Sequence, residues 1–309
     1  MLHRMLGFAT QETLEYYTSH PDRYPSLGVT ANQVRMYFQQ DIAVTYGTMT
    51  KRPYDNARWP ARKKDTDVDD AAAHRFTSGF GVLISGDFVG GYECRGYGGI
   101  ENAAVFVDHG HRPPFIRIGF YKRGIKNLAA LALKDMADYW SSNGHHDSVW
   151  HKPIVEFRAD SGAFTSDAVA LVCKDLKVKQ TFSTPNAQGQ NPAEATIRRL
   201  FELVTTCYAA SPWVPRYLWT YCLAYVAHCR NLKVIDAEDG PSYEAFHSVF
   251  YDFNARPLLP FGQPVLVYVE KTSARGSLAP MHYWPCMSAL QKESKMPLWY
   301  TIRSLTKSE

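Results

Sequence analysis

The sequence lacks cysteines arranged as a metal-binding or disulfide motif. The six cysteines include no Cys-x-x-Cys pair, and most of them lie in apolar runs with helical spacing. This pattern argues against a disulfide framework, because such frameworks belong to small, cysteine-dense secreted domains. It predicts reduced core cysteines in an intracellular protein.

Long apolar runs and strong net charge are also missing. No run reaches the ~18 apolar residues that a membrane helix needs, so we expect no membrane span. The opening MLHRMLGFATQETL lacks the apolar block of a secretory signal, and its helical pattern would also suit a piece of a longer polyprotein. A net charge of +4 permits a polyanionic partner without requiring one. With 45% hydrophobic residues, the 309-residue chain can bury a sizeable core.

The composition divides the chain into four segments. Residues 1–50 are predicted to be helical, with a capping-box pattern in the string TANQ. Residues 51–78 join a basic block to an acidic block with little apolar content, which is typical of a charged linker. Residues 79–232 have the strongest periodicity and are predicted to form the main domain. Residues 233–309 are less regular, and we treat them as a C-terminal extension.

Within the main domain the pattern predicts the order β-β-β-α-β-α-β-α-α. FGVLIS, NAAVFVD and PFIRIGFY predict three consecutive strands, the last two joined as a hairpin through the turn-rich HGHRPP. IVEFRAD and VKQTFST predict two further strands separated by helical segments. Pro192 suits the first position of the next helix. The order predicts a mixed α/β fold, with helices packed on a five-stranded sheet and a small helical N-terminal region.

Three acidic residues lie at the ends of these elements. Asp87 follows the first apolar run, Asp160 ends the fourth strand, and Glu194 lies in the first turn of the helix at Pro192. If the first and fourth strands are neighbours, both aspartates leave the same edge of the sheet, and the helix can add Glu194. Mg²⁺ prefers oxygen ligands, and two such ions ~3.5–4 Å apart serve many nucleases and polymerases. The three carboxylates therefore indicate a divalent-metal site.

Each of these residues also has a purely structural interpretation. Glu194 lies three residues after Asn191, so it can be the return partner of a capping box. Asp87 and Asp160 both precede glycine-containing turns, where aspartate commonly accepts hydrogen bonds from its own backbone. The metal-site hypothesis depends on all three carboxylates occurring in the right elements.

A family resemblance is carried mainly by one long string, ADSGAFTSDAVALVCKDLKVKQTFSTPNAQGQNPAEATIRRLFELV. Three later strings add to it: PRYLWTYCLAYVAHCRN, GPSYEAF and PLLPFGQPVLVYV. From Ser85 to about Ala279 the chain resembles the integrase region of copia-type retrotransposons. The resemblance implies an RNase H-like core with a catalytic Asp, Asp, Glu metal site. These roles fall on Asp87, Asp160 and Glu194.

The same resemblance implies an enzyme that integrates DNA. Using two Mg²⁺ or Mn²⁺ ions, it would process the 3′ ends of element DNA and transfer the strands into target DNA. Gln188 and Gln190 of a loop, with Arg198 and Arg199 of the next helix, would contact the DNA, although both arginines also suit a solvated helix face. The implied partners are element ends, target DNA and further copies of the chain, with no membrane. The implied location is the nucleus or a cytoplasmic virus-like particle.

The N-terminal region departs from this family, which carries a zinc motif of two histidines and two cysteines. HRMLGF resembles its first half, but Phe8 stands where the second histidine is expected, and no cysteine precedes Cys94. Tetrahedral zinc needs four nitrogen or sulfur ligands, and only His3 and His20 are available. The sequence therefore predicts no zinc.

The loop before Glu194 departs as well. It reads QGQNP where the family more often has PQQNG, and the interval from Asp160 is slightly short. Two alternatives to the integrase hypothesis therefore stay open. One is an inactive or repurposed relic that only binds nucleic acid or protein, and the other is a plain nuclease or a nuclease for RNA–DNA hybrids. We expect the remaining polar-loop histidines at the surface: His109, His111, His145 and His146.

Overall fold

The described part of a computed structural model comprises residues 2–48, 79–90, 94–143, 153–160, 162–183, 192–235, 237–265 and 284–285. The predicted linker at 51–78, His145, His146 and the loop residues Gln188 and Gln190 lie outside this described part. No helix in the described residues is long and apolar enough to cross a membrane.

The N-terminal region forms short helices, as the sequence predicts. They are α1 (Leu2–Met5), α2 (Gln11–Ser19), α3 (Ala31–Tyr37) and α4 (Ile42–Thr48). The capping box before α3 is present: the Thr30 hydroxyl accepts from the Gln33 N–H, and the Gln33 side chain accepts from the Thr30 N–H. These reciprocal bonds satisfy donors that a helix start otherwise leaves unpaired.

Five strands form one mixed sheet. They are β1 (Leu83–Gly90), β2 (Ile100–Asp108), β3 (Phe115–Lys122), β4 (Glu156–Ala159) and β5 (Lys179–Phe182). Their spatial order is β3-β2-β1-β4-β5. The β3-β2-β1 half is antiparallel, and β4 and β5 continue from β1 in parallel. The predicted fold class is confirmed, including the expectation that the first and fourth strands are neighbours.

Helices cover both faces of this sheet. They are α5 (Leu128–Asn143), α6 (Asp167–Asp175), α7 (Pro192–Ala210), α8 (Trp219–Asn231) and α9 (Ser242–His247). Farther along, β6 (Pro264–Val265) pairs with β7 (Trp284–Pro285).

The alternation of β2 side chains separates two buried cores. Ala104 and Phe106 face the core that includes residues of α5 and α6, whereas Val105 and Val107 face the core that includes residues of α7 and α8. Successive side chains of a strand point to opposite faces, so the direction of each β1 residue follows from its β2 partner.

Segments on either side of the main domain pack against it. The Phe246 ring of α9 stacks on Phe115 of β3, with ring centroids 4.0 Å apart. Tyr17 of α2 donates a hydrogen bond to the Leu232 carbonyl oxygen at 2.8 Å. The N-terminal helices are therefore held by aromatic packing and buried hydrogen bonds to residues beyond α8. The segment boundaries at 50, 78 and 232 stay predictions.

A close helix contact and a pair of hydrogen bonds fix the helices on the α7 face of the sheet. A Cβ atom on Gly47 of α4 would overlap the Thr206 hydroxyl and lie 2.7 Å from the Glu202 carbonyl oxygen of α7, so only glycine allows this helix contact. At the sheet edge, the Asn231 side chain accepts from the Ile116 N–H and donates to its carbonyl oxygen, both at 2.8 Å. The end of α8 is thereby tied to β3.

Candidate acidic site

Asp87 lies inside β1 and not at its end. The apolar run predicted a strand ending at Asp87, but pairing with β2 continues to Gly90, which faces Asn102. Asp87 pairs with Val105, and directly paired residues of antiparallel strands point to the same face. Its side chain therefore points to the face covered by α7 and α8.

The register between β1 and β4 aligns Asp87 with Asp160. Every paired residue of β1 meets the β4 residue 73 positions later, ending with Gly86 opposite Ala159. The same offset separates Asp87 from Asp160, which follows β4 directly. The strand pairing thus sets Asp87, inside β1, beside Asp160, the first residue after β4.

Packing between Gly86 and Phe157 supports this register. A Cβ atom on Gly86 would lie 2.8 Å from the Phe157 ring, which is fully buried on the other face of the sheet. A larger residue at Gly86 would push the ring away and disturb the strand pair next to Asp87. The glycine before Asp87 is therefore a packing requirement of the site.

Glu194 lies in the first turn of α7, as predicted. Its neighbour Ala193 is fully buried in the core between α7 and the sheet, which places the start of the helix on the Asp87 face. The Glu194 carboxylate lies 3.5 Å from the Arg198 guanidinium one helical turn later, and both side chains are exposed. An exposed ion pair of this kind holds its partners weakly.

The electrostatics show that the three carboxylates share one neighbourhood. Burial raises the pKa of Asp87, a hydrogen bond from the Phe88 N–H at 2.7 Å lowers it, and the charges of Asp160 and Glu194 raise it further. Like charges disfavour ionisation because each added proton relieves repulsion. A cation placed between these groups would reverse that effect.

The donor atoms suit a hard divalent cation, because all three residues offer carboxylate oxygens. Within the described residues, however, no three His, Cys, Asp or Glu side chains lie close enough together to hold one ion. Asp87 and Asp160 are brought together by the sheet, while Glu194 stands nearby on its own helix.

Of the four predicted DNA contacts, the described residues include only the two arginines of α7. Arg198 and Arg199 are both exposed on α7, and Arg199 lies 3.5 Å from Glu202. Their contact with DNA stays a prediction.

The N-terminal histidines have partners other than a metal. His3 Nδ1 donates to the Ala9 carbonyl oxygen at 2.7 Å, and its ring packs edge-on against Phe8 and Phe38. Burial lowers the pKa of His3. His20 Nδ1 donates to the Tyr16 carbonyl oxygen at 2.7 Å. These bonds secure the ends of short helical turns, and the absence of zinc stays a prediction.

The sequence did not reveal a buried polar group around Ser85, two residues before Asp87 in β1. The prediction of a surface position is wrong for His109, which is 3% exposed. Its Nε2 lies 2.6 Å from the hydroxyl of the fully buried Ser85 on β1. Asp108 beside it accepts N–H bonds from Gly81 and Gly110, each at 2.7 Å. The sequence of the turn-rich loop does not indicate that His109 is buried, because only the pairing of β1 with β2 brings Ser85 next to His109.

No family model and no curated protein matches the sequence. Among the solved structures that match the chain are two at low sequence identity. One is a cryo-EM structure of the simian T-cell lymphotropic virus intasome in complex with PP2A regulatory subunit B56 gamma, with 18% identity, a TM-score of 0.44, and coverage of 63% of each chain. The other is the crystal structure of the catalytic core domain of BIV integrase, with 16% identity, a TM-score of 0.38, and coverage of 54% of this chain and 95% of that one.

The chain thus spans 63% of the length of the intasome protein that it matches. The fold class itself rests on the strand order and register described above.

Proposed function

We propose that the chain is a polynucleotidyl transferase of the integrase type, from a copia-type retrotransposon, that processes and joins DNA ends. The observation that carries this proposal is the register that sets Asp87 beside Asp160 on the α7 face of the sheet. The effect of Asp160 and Glu194 on the pKa of Asp87 supports it. The charges of Asp160 and Glu194 disfavour the ionised form of Asp87, and a cation joined to these carboxylates would offset that cost.

Asp87, Asp160 and Glu194 would hold Mg²⁺ or Mn²⁺, as two ions. When bound, such ions neutralise charge on a phosphodiester and make water a better nucleophile. The protein's own residues supply position. The β1–β4 pair keeps the two aspartates side by side, and α7 carries Glu194 on a helix that the core fixes through Ala193.

The proposed partners follow from the same function. The substrates are element DNA ends and target DNA, and joining two ends calls for more than one copy of the chain. Arg198 and Arg199 would contact phosphates, together with Gln188 and Gln190 of the preceding loop. The proposed location is the nucleus or a cytoplasmic virus-like particle.

Strand transfer tests this proposal. A labelled duplex oligonucleotide is incubated with the chain in Mg²⁺ or Mn²⁺, and products are compared for the parent and Asp160→Asn. We expect metal-dependent joined products from the parent and none from Asp160→Asn. Cleavage without joining would instead indicate a nuclease.

A second candidate function is that of an inactive integrase relic that only binds nucleic acid or protein. The ion pair of Glu194 with Arg198 favours it, as does the lack of a three-ligand group within the described residues. A folded parent that binds DNA but gives no product on several end sequences would support this candidate and exclude the first.

A further inference from the structure

Three cationic side chains gather where α7 passes the end of α8. Arg230 lies in the last turn of α8, Lys233 follows the helix directly, and Arg199 lies in the second turn of α7. The two helices pack against each other, which brings these residues together from distant parts of the sequence. None of them belongs to the acidic site.

Little negative charge balances this cluster. Arg199 lies 3.5 Å from Glu202, and Glu12 of α2 acts on Lys233 from a distance. Across the described ranges, neither Arg230 nor Lys233 forms an ion pair.

The guanidinium of Arg230 is also incompletely hydrogen-bonded. Its Nε atom is buried and has no hydrogen-bond partner among the described residues. A buried charged donor without a partner is costly, so structures normally supply an acceptor for it.

Repulsion within the cluster contributes to the lowered pKa values of Lys233 and Arg230. Burial lowers the pKa of Lys233, the charges of Arg230 and Arg199 lower it further, and Glu12 acts in the opposite direction. Burial likewise lowers the pKa of Arg230, and Arg199 adds to the effect. An anion at this position would relieve both.

The helix dipole explains only part of this arrangement. Cations near the C-terminal end of α8 are favoured by its partial negative charge, which suits Arg230 and Lys233. The dipole does not account for Arg199, which comes from the second turn of another helix, or for the unpartnered Nε of Arg230. An external oxyanion would balance the charge that Arg199 adds to Arg230 and Lys233.

We propose that Arg230, Lys233 and Arg199 bind a phosphodiester group of DNA outside the acidic site. A phosphodiester offers several oxygen acceptors, and the planar guanidinium of arginine matches them well. Arg199 lies five residues after Glu194, which is about 7.5 Å along the helix axis. At ~3.4 Å per nucleotide this corresponds to about two nucleotides of one strand. This spacing rests on the proposed function, whereas binding of the phosphodiester does not.

DNA binding without divalent ions tests the cluster. Fluorescence anisotropy with a labelled duplex, in EDTA and over a series of salt concentrations, is compared for the parent, Arg230→Gln, Lys233→Gln and the control Lys174→Gln. Lys174 is an exposed cation on α6, on the other face of the sheet. We expect each cluster variant to bind at least ~5-fold more weakly and with a salt slope smaller by about 1. The control should bind like the parent.

Thermal melting separates a binding role from a structural one. Removing a charge that is repelled by its neighbours should leave the Tm of Arg230→Gln equal to or above that of the parent. Inorganic phosphate, compared with chloride at equal ionic strength, should raise the Tm of the parent but not of Arg230→Gln. If Arg230→Gln fails to fold, Lys233→Gln carries both measurements.

Two results would overturn the proposal. Equal DNA affinity and salt slope in the parent and the cluster variants is one. Stabilisation by inorganic phosphate without any loss of DNA affinity is the other, because it would assign the cluster to a small anion. Failure of the proposed function looks different: the parent would give no joined product in metal, while Arg230→Gln would still lose DNA affinity in EDTA.

Discussion

Asp87 and Asp108 lie on neighbouring strands, and the pKa of each is raised, but their surroundings differ. Asp108 is buried, and both of its oxygens accept backbone N–H bonds, from Gly81 and Gly110. Burial raises its pKa to about 7 against the effect of these two bonds. Asp87 is half-buried and accepts one N–H bond, from Phe88, while Asp160 and Glu194 add to the rise in its pKa.

A raised pKa alone therefore does not separate a functional carboxylate from a structural one. Asp108 has the hydrogen bonds that a buried structural group needs, and its shift comes from burial. Asp87 faces two like charges that the fold has placed there, and no described cation is paired with it. Burial is the largest cause of the raised pKa at both carboxyls, but the charges of Asp160 and Glu194 add to it only at Asp87, and this added effect points to the candidate site.

Asp87→Asn should produce the largest effect. We expect strand transfer to fall by at least ~10²-fold, because a charged group that stabilises the transition state is lost. The Tm should not fall, since the repulsion with Asp160 and Glu194 is removed. Asp138→Asn, an exposed carboxylate of α5, is the matched control and should keep full activity. A Tm loss with retained activity would make Asp87 structural, like Asp108.

Asp108→Asn should act on stability instead. The amide can accept only one of the two N–H bonds and presents a donor to the other, so we expect a loss of ~1–3 kcal/mol in the free energy of unfolding. Because the folded pKa is raised to about 7, Asp108 favours folding most below pH ~4, and this contribution is lost as the pH rises to 7. The cost of the substitution, measured by urea unfolding, should therefore be larger at pH 5 than at pH 8. An equal cost at both values would contradict this assignment.

Arg198→Gln should have the smallest effect on stability and should distinguish Asp87 from Asp108. The exposed ion pair with Glu194 contributes little, so the free energy of unfolding should change by less than ~0.5 kcal/mol. Without Arg198, the full charge of Glu194 acts on Asp87, and the pKa of Asp87 should rise. NMR titration of the carboxyl carbons measures this, with Asp108 as the internal reference. If the pKa of Asp87 is the same in the parent and in Arg198→Gln, the expected effect of Glu194 on Asp87 is contradicted.

The periodicity of the sequence was sufficient to predict the five strands, the helices α5 to α8 and the mixed α/β class, but not α9. The end of β1 was misplaced because the apolar run stops before Asp87, while pairing with β2 continues to Gly90. His109 was misplaced because its partner Ser85 lies on another strand. Patterns along the chain do not record such pairings.

The candidate site was predicted in its residues but not in its geometry. The sequence indicated Asp87, Asp160 and Glu194, but the shared offset of β1 and β4 appears only once the strands are paired. The cationic cluster was missed because Arg199 and Arg230 lie on different helices, and nothing along the sequence shows that these helices pack together. Packing of α7 on α8 alone brings them together.

The bond between Asn231 and Ile116 has a further consequence at the border of the sheet. β3 is an outer strand, and outer strands expose unpaired donors and acceptors to which another polypeptide can add. At Ile116 the amide group of Asn231 occupies both of these backbone groups. The side-chain amide of Asn231 thus takes the place that the peptide group of an added strand would occupy. A second molecule therefore cannot pair with β3 at Ile116.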